Sequence, residues 1–271
     1  MILVVALLLA PGAVAGPATQ IAAHRGGAAL APENSLAAFR GALALGVDAL
    51  EFDVHLTADG EPVVIHDATL ERTTTGHGAV ADTTLAQLRA LRVRGRDGVP
   101  TTESVPSLAE VLDLAAPTAI EVLPEIKTAR GGRRYAGIEE KVLALLGARR
   151  FAGRATVQAF DEATIRRLRE LDQGQRTMLL VPARRLETAR AEPTEAVRWA
   201  RELGATDLGM DHRTIDARVI ADARAARVRL SAWTVNAEPD LRRILDLGVD
   251  MVMSDHPDLA LRLIGRASRK P

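Results

Sequence analysis

The stretch Asp48 to Asp67, DALEFDVHLTADGEPVVIHD, reads as two short strands joined at Asp59-Gly60. An Asp-Gly pair between alternating apolar runs is a two-residue hairpin signal. Closing the chain there sets Ala58 opposite Glu61, Leu56 opposite Val63, Val54 opposite Ile65 and Asp53 opposite His66. Side chains alternate along a strand, so Phe52, Val54, Leu56, Val63 and Ile65 form an apolar face, while Glu51, Asp53, His55 and His66 share the other. Any exposed hairpin is polar on one side, but it has no need to gather two acids and two histidines there.

Outward from this hairpin, short apolar runs alternate with helical patterns. Strands are expected near 20–24, 48–54, 62–66, 119–126, 154–159, 176–181, 205–210, 228–234 and 250–254. Those nine runs are one more than a closed (β/α)8 barrel needs, and the hairpin run 62–66 is the surplus one. Helix starts are marked by the capping box Ser107-x-x-Glu110 after Pro106 and by Asp161, and helix ends by Gly46, Gly204 and Gly248. Such alternation means parallel strands covered by helices. The expected fold class is therefore α/β, a TIM barrel with an inserted segment after the second strand region.

A chain of 271 residues with 47% hydrophobic content suits one barrel-sized domain, and its 35 basic and 35 acidic residues give no basic excess for nucleic acid. Residues 1–15 read as a secretory signal peptide: Ile2 to Ala10 is unbroken apolar, Pro11-Gly12 breaks the run, and Ala13-Val14-Ala15 offers small residues before a cut at Gly16. A buried first strand is the plainer alternative, since the positive n-region of a signal is missing. The run is too short to span a bilayer, and without cysteine there is no lipid-anchor site, so a secreted or periplasmic protein without a stable membrane anchor is expected. Residues 16–271 would form the single domain.

The chemistry-bearing residues sit at strand ends. Glu51 and Asp53 point the same way from one strand, and Glu125 projects from the end of another into the same barrel mouth. Three carboxylates there repel by about 4 kcal/mol per close pair at an intermediate dielectric, a cost that a bound cation removes. Oxygen-only ligands indicate one divalent cation, Ca2+ or Mg2+. His24 and His66 suit proton transfer near neutral pH, and Arg25 offers a fork for phosphate oxygens beside Gly26-Gly27. Lys127 is one of only three lysines and lies two residues past Glu125, on the same strand face. His55, His77, His212 and His256 lack comparable partners and are read as structural, although His55 shares the parity of Asp53.

In order along the chain, His24-Arg25-Gly26, Pro32-Glu33-Asn34-Ser35, Glu51-x-Asp53, Thr57-x-Asp59-Gly60, Val63-Val64-Ile65-His66-Asp67, Glu125-Ile126-Lys127, Trp233-Thr234-Val235-Asn236 and Ser254-Asp255-x-Pro257 resemble the glycerophosphodiester phosphodiesterase family. The resemblance implies a TIM barrel whose second strand is followed by an insertion, here about 67–106. It places metal ligands on Glu51, Asp53 and Glu125, catalytic histidines on His24 and His66, and phosphate contacts on Arg25 and Lys127. Glu33 and Asn34 match a further site-lining motif, where the residues alone read as a helix start capped by Asn34 or Ser35. Phe160 and Trp233 are expected to wall the pocket. Two departures stand out: Pro124 precedes Glu125, and Ala159 replaces an expected serine.

The implied reaction is metal-dependent hydrolysis of a small glycerophosphodiester, such as glycerophosphocholine or glycerophosphoethanolamine, to glycerol 3-phosphate and an alcohol. It runs through a cyclic phosphate, with His24 as base and His66 as acid. The rival within the fold is a phospholipase D-like enzyme acting on lysophospholipids, for which aromatics at only 3% of the chain are a poor match. A barrel lyase or racemase would use Lys127 as a carbon-acid base and not need both histidines, and a non-catalytic binding protein could dispense with a ligand or a histidine.

Overall fold

The computed structural model describes residues 18–266, so the expected signal peptide lies outside the described residues. Strands β1 (Gln20–Ala23), β2 (Ala49–Leu56), β4 (Glu121–Ile126), β5 (Thr156–Ala159), β6 (Arg176–Val181), β7 (Asp207–Asp211), β8 (Arg229–Trp233) and β9 (Met251–Ser254) pair in parallel. The ring closes where β1 meets both β9 and β2. This is the TIM barrel expected from the alternation. Strand β3 (Pro62–Val64) is the surplus run and pairs antiparallel with β2 alone.

The hairpin register differs from the expected one by one residue. Val54 lies opposite Val64 and His55 opposite Val63, and Ile65 N–H, not His66, donates to Asp53 O at 3.0 Å. The loop is not a two-residue turn. Thr57 N–H donates to Glu61 O at 3.1 Å, the Thr57 hydroxyl accepts from Glu61 N–H at 2.8 Å, and Gly60 takes a left-handed φ of 76°. Three residues thus sit between the closing pair, with glycine last. The slip moves Val63 and Ile65 off the barrel's apolar face and Val64 onto it. Val64 joins Phe52, Val54 and Leu56 in the main core, while Val63 and Ile65 pack with Leu70, Val80, Leu88, Val93 and Val105. This second cluster is a small core belonging to the segment between β3 and α3 (Leu108–Ala115), which includes α2 (Leu85–Ala90).

The main core lies between the strands and an outer ring of helices. That ring comprises α1 (Leu36–Leu45), α3, α4 (Ile138–Ala148), α5 (Glu162–Leu171), α6 (Ala183–Ala189), α7 (Glu195–Glu202), α8 (Ala217–Ala226), α9 (Glu238–Leu247) and α10 (Pro257–Leu263). The capping signals act as read. Ser107 and Glu110 form the capping box of α3, Asp161 accepts from Thr164 N–H to open α5, and Gly46 and Gly248 cap α1 and α9 with left-handed φ. Inside the barrel, Ala22, Ala49, Leu123, Met178, Leu180, Met251 and Met253 make a thin apolar layer. Below it, Arg176 pairs with Asp207 at 2.8 Å and Arg229 with the same carboxylate at 3.5 Å, closing the N-terminal end. Polar side chains above the apolar layer therefore face only the C-terminal mouth. Among the described residues no helix is long and apolar enough to cross a membrane.

Pro124 leaves the β2–β4 ladder whole, with Phe52 opposite Pro124 and Asp53 opposite Glu125. The N–H groups of Glu121 and Lys127 point to β2, and that of Val122 points to the β5 side. Alternation then aims the Pro124 nitrogen at β5, where no ladder bond can form. Pairing of β4 with β5 is reduced there to Glu125 opposite Gln158, flanked by the Val122–Ala155 bridge.

Candidate active site

The turn after β1 builds one wall. Arg25 adopts a left-handed φ of 51°, and Gly26 follows at φ 80°. A Cβ on Gly26 would lie 2.8 Å from the Ala38 Cβ, so glycine is required both by φ and by the approach of α1. This turn aims Arg25 N–H at Glu51 Oε2 (2.8 Å) and brings Arg25 Nε within 3.4 Å of Asp53 Oδ2.

Glu51, Asp53 and Glu125 come together as the sequence led one to expect. All three are buried, and one carboxylate oxygen from each lies within 4.8 Å of the others. Gln158 Nε2 donates to Glu51 at 2.9 Å, Asn34 Nδ2 donates to Asp53 at 2.8 Å, and Lys127 Nζ stands 2.7 Å from Glu125 and 3.3 Å from Asp53. Burial, with Asp53 and Glu125 nearby, pushes the Glu51 carboxyl up to about 7. Burial raises Glu125 as well, whereas Lys127 and Arg25 overcome it at Asp53 and hold that carboxyl low. Asp53 Oδ1 is buried with only the Lys127 ammonium near it, and Gln158 Oε1 is buried without a hydrogen-bond partner. A hard divalent cation fits this set: three convergent carboxylates, an acceptor lacking a donor, and a carboxyl whose ionisation burial and its acidic neighbours oppose until positive charge arrives.

The two histidines are each backed by a carboxylate. His24 Nδ1 donates to Asp255 at 2.6 Å, and Asp255 in turn accepts from Asn236 Nδ2 at 2.6 Å. His66 Nδ1 donates to Asp67 at 2.6 Å. An ionised carboxylate only accepts, so both rings carry the proton on Nδ1 and leave Nε2 for chemistry. Burial lowers the pKa of His24, but the Glu51 charge and the Asp255 bond outweigh it and the net shift is upward. His66 is shifted down, chiefly by burial. His55 is a strut: its Nε2 donates to His66 O at 3.1 Å, its Nδ1 accepts from the Tyr135 hydroxyl at 2.8 Å, and burial lowers it to about 4.

One cavity of about 190 Å³ is lined by His24, Arg25, Glu51, His66, Glu125, Lys127, Gln158, Phe160, Leu180, Trp233, Thr234 and Met253. Phe160 and Trp233 meet edge to face there, with centroids 5.4 Å apart. Glu33, expected to line the site, stands off the cavity wall. Its carboxylate takes Arg25 Nη1 at 3.2 Å and is gripped by Arg72 at 2.8 and 2.9 Å. Arg72 also grips Asp67 at 2.6 and 2.9 Å, tying the inserted segment to both walls. Ser35, not Asn34, caps α1, which frees the Asn34 amide for Asp53. Ala159 packs in the outer core, so the departure from serine does not face the cavity. The loop of Arg130, Arg133 and Arg134 does not line it either, and Arg134 is tied to Asp161 at 3.2 Å.

Asp255, Asn236, Asp67 and Asn34 lay within the quoted motifs, but their pairings were not readable from them. Arg72 and Gln158 lie outside those motifs.

Residues 24–259 match the glycerophosphoryl diester phosphodiesterase family. The chain is 33% identical over 247 residues to the glycerophosphodiester phosphodiesterase of Caldanaerobacter subterraneus subsp. tengcongensis, covering 91% of this chain and 98% of the relative. Among solved structures it is similar to glycerophosphodiester phosphodiesterase from Agrobacterium tumefaciens str. C58, with TM-score 0.75, 27% identity, and 90% and 99% of the two chains covered. It is also similar to a phosphodiesterase of Oleispira antarctica solved in complex with the product sn-glycerol-3-phosphate, with TM-score 0.76, 26% identity, and 92% and 97% coverage. The chain belongs to the glycerophosphoryl diester phosphodiesterase family and is an enzyme of that family.

Proposed function

We propose that the protein hydrolyses small glycerophosphodiesters to glycerol 3-phosphate and the head-group alcohol, and needs one divalent cation to do so. The observation that carries this reading is a single cavity lined by two carboxylate-backed histidines, the cationic Arg25 and Lys127, and two of three carboxylates that converge at its wall. Glu51, Asp53 and Glu125 would hold the cation, which when bound supplies Lewis-acid polarisation of the phosphoryl oxygens. Arg25 and Lys127 clamp the phosphate and offset charge as it develops. His24 takes the proton from the glycerol hydroxyl that attacks phosphorus, and His66 gives one to the departing alcohol oxygen as its bond to phosphorus breaks. An internal nucleophile needs little further positioning, and the product of this half is a cyclic glycerol phosphate. With roles exchanged, His66 deprotonates water, the ring opens, and His24 protonates the released glycerol oxygen. Export through cleavage before Gly16 belongs to the same reading and is supported by residues 1–15.

The test is a product assay on metal-stripped protein, with Ca2+ or Mg2+ restored, against glycerophosphocholine, glycerophosphoethanolamine and a lysophospholipid. Release of glycerol 3-phosphate from the two water-soluble diesters, only with a cation present, is expected. Turnover without any divalent cation, or turnover confined to the lysolipid, overturns the reading.

A further inference from the structure

Adjoining the reaction cavity at Lys127 is a second, outer chamber of about 400 Å³. The two spaces share Glu125, Lys127, Phe160 and Trp233, and the outer one continues past Asp161 to Arg184. A phosphodiester has one arm on each side of phosphorus. Were the phosphate held between Arg25 and Lys127, the smaller inner space of about 190 Å³ would suit the three-carbon glycerol arm and leave the outer chamber to the head group.

The charges lining that chamber are unequal. Asp161 is committed twice, as the α5 cap accepting from Thr164 N–H at 2.9 Å and as the partner of Arg134 at 3.2 Å. Lys127 Nζ lies 5.8 Å from the Phe160 ring centroid, and Trp233 meets the same ring edge to face. A quaternary ammonium group on this surface would sit beside the Lys127 charge, which repels it. Arg184 is exposed, and its guanidinium enters no ion pair among the described residues. The chamber therefore presents one uncommitted cation in addition to Lys127 and no uncommitted carboxylate.

We propose that the outer chamber is a head-group subsite that prefers anionic alcohols, a phosphorylated polyol for instance, and that Arg184 sets this preference. The inference rests on the phosphodiesterase reading above. Arg184 attracts a negative head group over several ångströms of partly solvated space, an effect that is modest and screened by salt.

Three probes share one product, glycerol 3-phosphate: glycerophosphoinositol 4-phosphate, glycerophosphoinositol and glycerophosphocholine. With the cation-loaded enzyme, kcat/KM is expected to fall in that order, the first exceeding the last by about tenfold at low salt and by less at high salt. Arg184→Glu should invert the order, and Arg184→Lys should keep it. An enzyme that treats choline as well as the phosphorylated head group, or an Arg184→Glu variant with an unchanged ratio, overturns the subsite. Failure to release glycerol 3-phosphate from any of the three overturns the phosphodiesterase reading itself and the subsite with it, so the two failures are told apart.

Discussion

Asp255 shows how much of the catalytic design rests on residues that never meet the substrate. One of its carboxylate oxygens accepts from His24 Nδ1 and the other from Asn236 Nδ2, so the imidazole can hold only one tautomer. In Asp255→Asn the amide oxygen must still face the Asn236 donor, which turns its NH2 toward His24 and forces Nδ1 to accept. Nε2 then carries the proton and cannot take one. Steady-state kinetics should show kcat reduced by about 100-fold or more with KM little changed; a kcat within threefold of the parent would remove Asp255 from the account. The residue identities needed for the site were legible in the sequence because strand parity places Glu51 and Asp53 on one face and Lys127 two residues beyond Glu125. The second layer was not. Asp255 lies 231 residues from His24, Gln158 lies 107 from Glu51, and only the closed barrel brings them together. Glu33 illustrates the same limit: it sits next to Arg25 as a site-lining motif implies, but its tie to Arg72, 39 residues on, is not visible in the sequence.

At the scale of elements, the hairpin shows why alternation gives strand existence more reliably than register. Asp59-Gly60 marks the turn correctly, but the Thr57 hydroxyl closes a loop one residue longer than the dipeptide suggests, and every facing pair shifts with it. The shift supplies Val63 and Ile65 to the inserted segment's own core rather than to the barrel. That segment carries Asp67 and Arg72, so its packing bears on His66. Leu88 is fully buried at the centre of its core. Leu88→Ala should cost about 2–5 kcal/mol within this unit. Hydrogen exchange should accelerate across 67–106 while the barrel strands stay protected, and turnover should fall through loss of the Arg72 bridge. Uniform acceleration over the whole chain would show instead that the segment is not a separate packing unit.

For the whole molecule, the barrel puts its charges at the two ends of a thin apolar layer. The N-terminal end is closed by paired Arg176, Arg229 and Asp207, whereas the C-terminal mouth gathers carboxylates in excess of its cations. That excess gives a signed pH dependence. The Glu51 carboxyl, with an ordinary value of 4.5, is pushed to about 7 when the protein folds. The metal-free native state therefore holds a proton that the unfolded chain has lost in this window, and Glu51 contributes less stability as pH rises through it. Comparison with Glu51→Gln tests the Glu51–His24 pair together, because the Glu51 charge is also what holds His24 high. Without metal, the variant's melting temperature should gain on the parent's between pH 5 and pH 8; with a saturating divalent cation at pH 8 the parent should be the more stable of the two. A difference that stays constant with pH would mean that the Glu51–His24 pair binds no extra proton in the folded state. The most direct measurement is anomalous diffraction from crystals soaked in Mn2+. One peak per chain is predicted, within coordinating distance of Glu51, Asp53 and Glu125 together and absent from a Glu125→Ala variant. A peak elsewhere, or none between these carboxylates at saturating metal, would contradict the account.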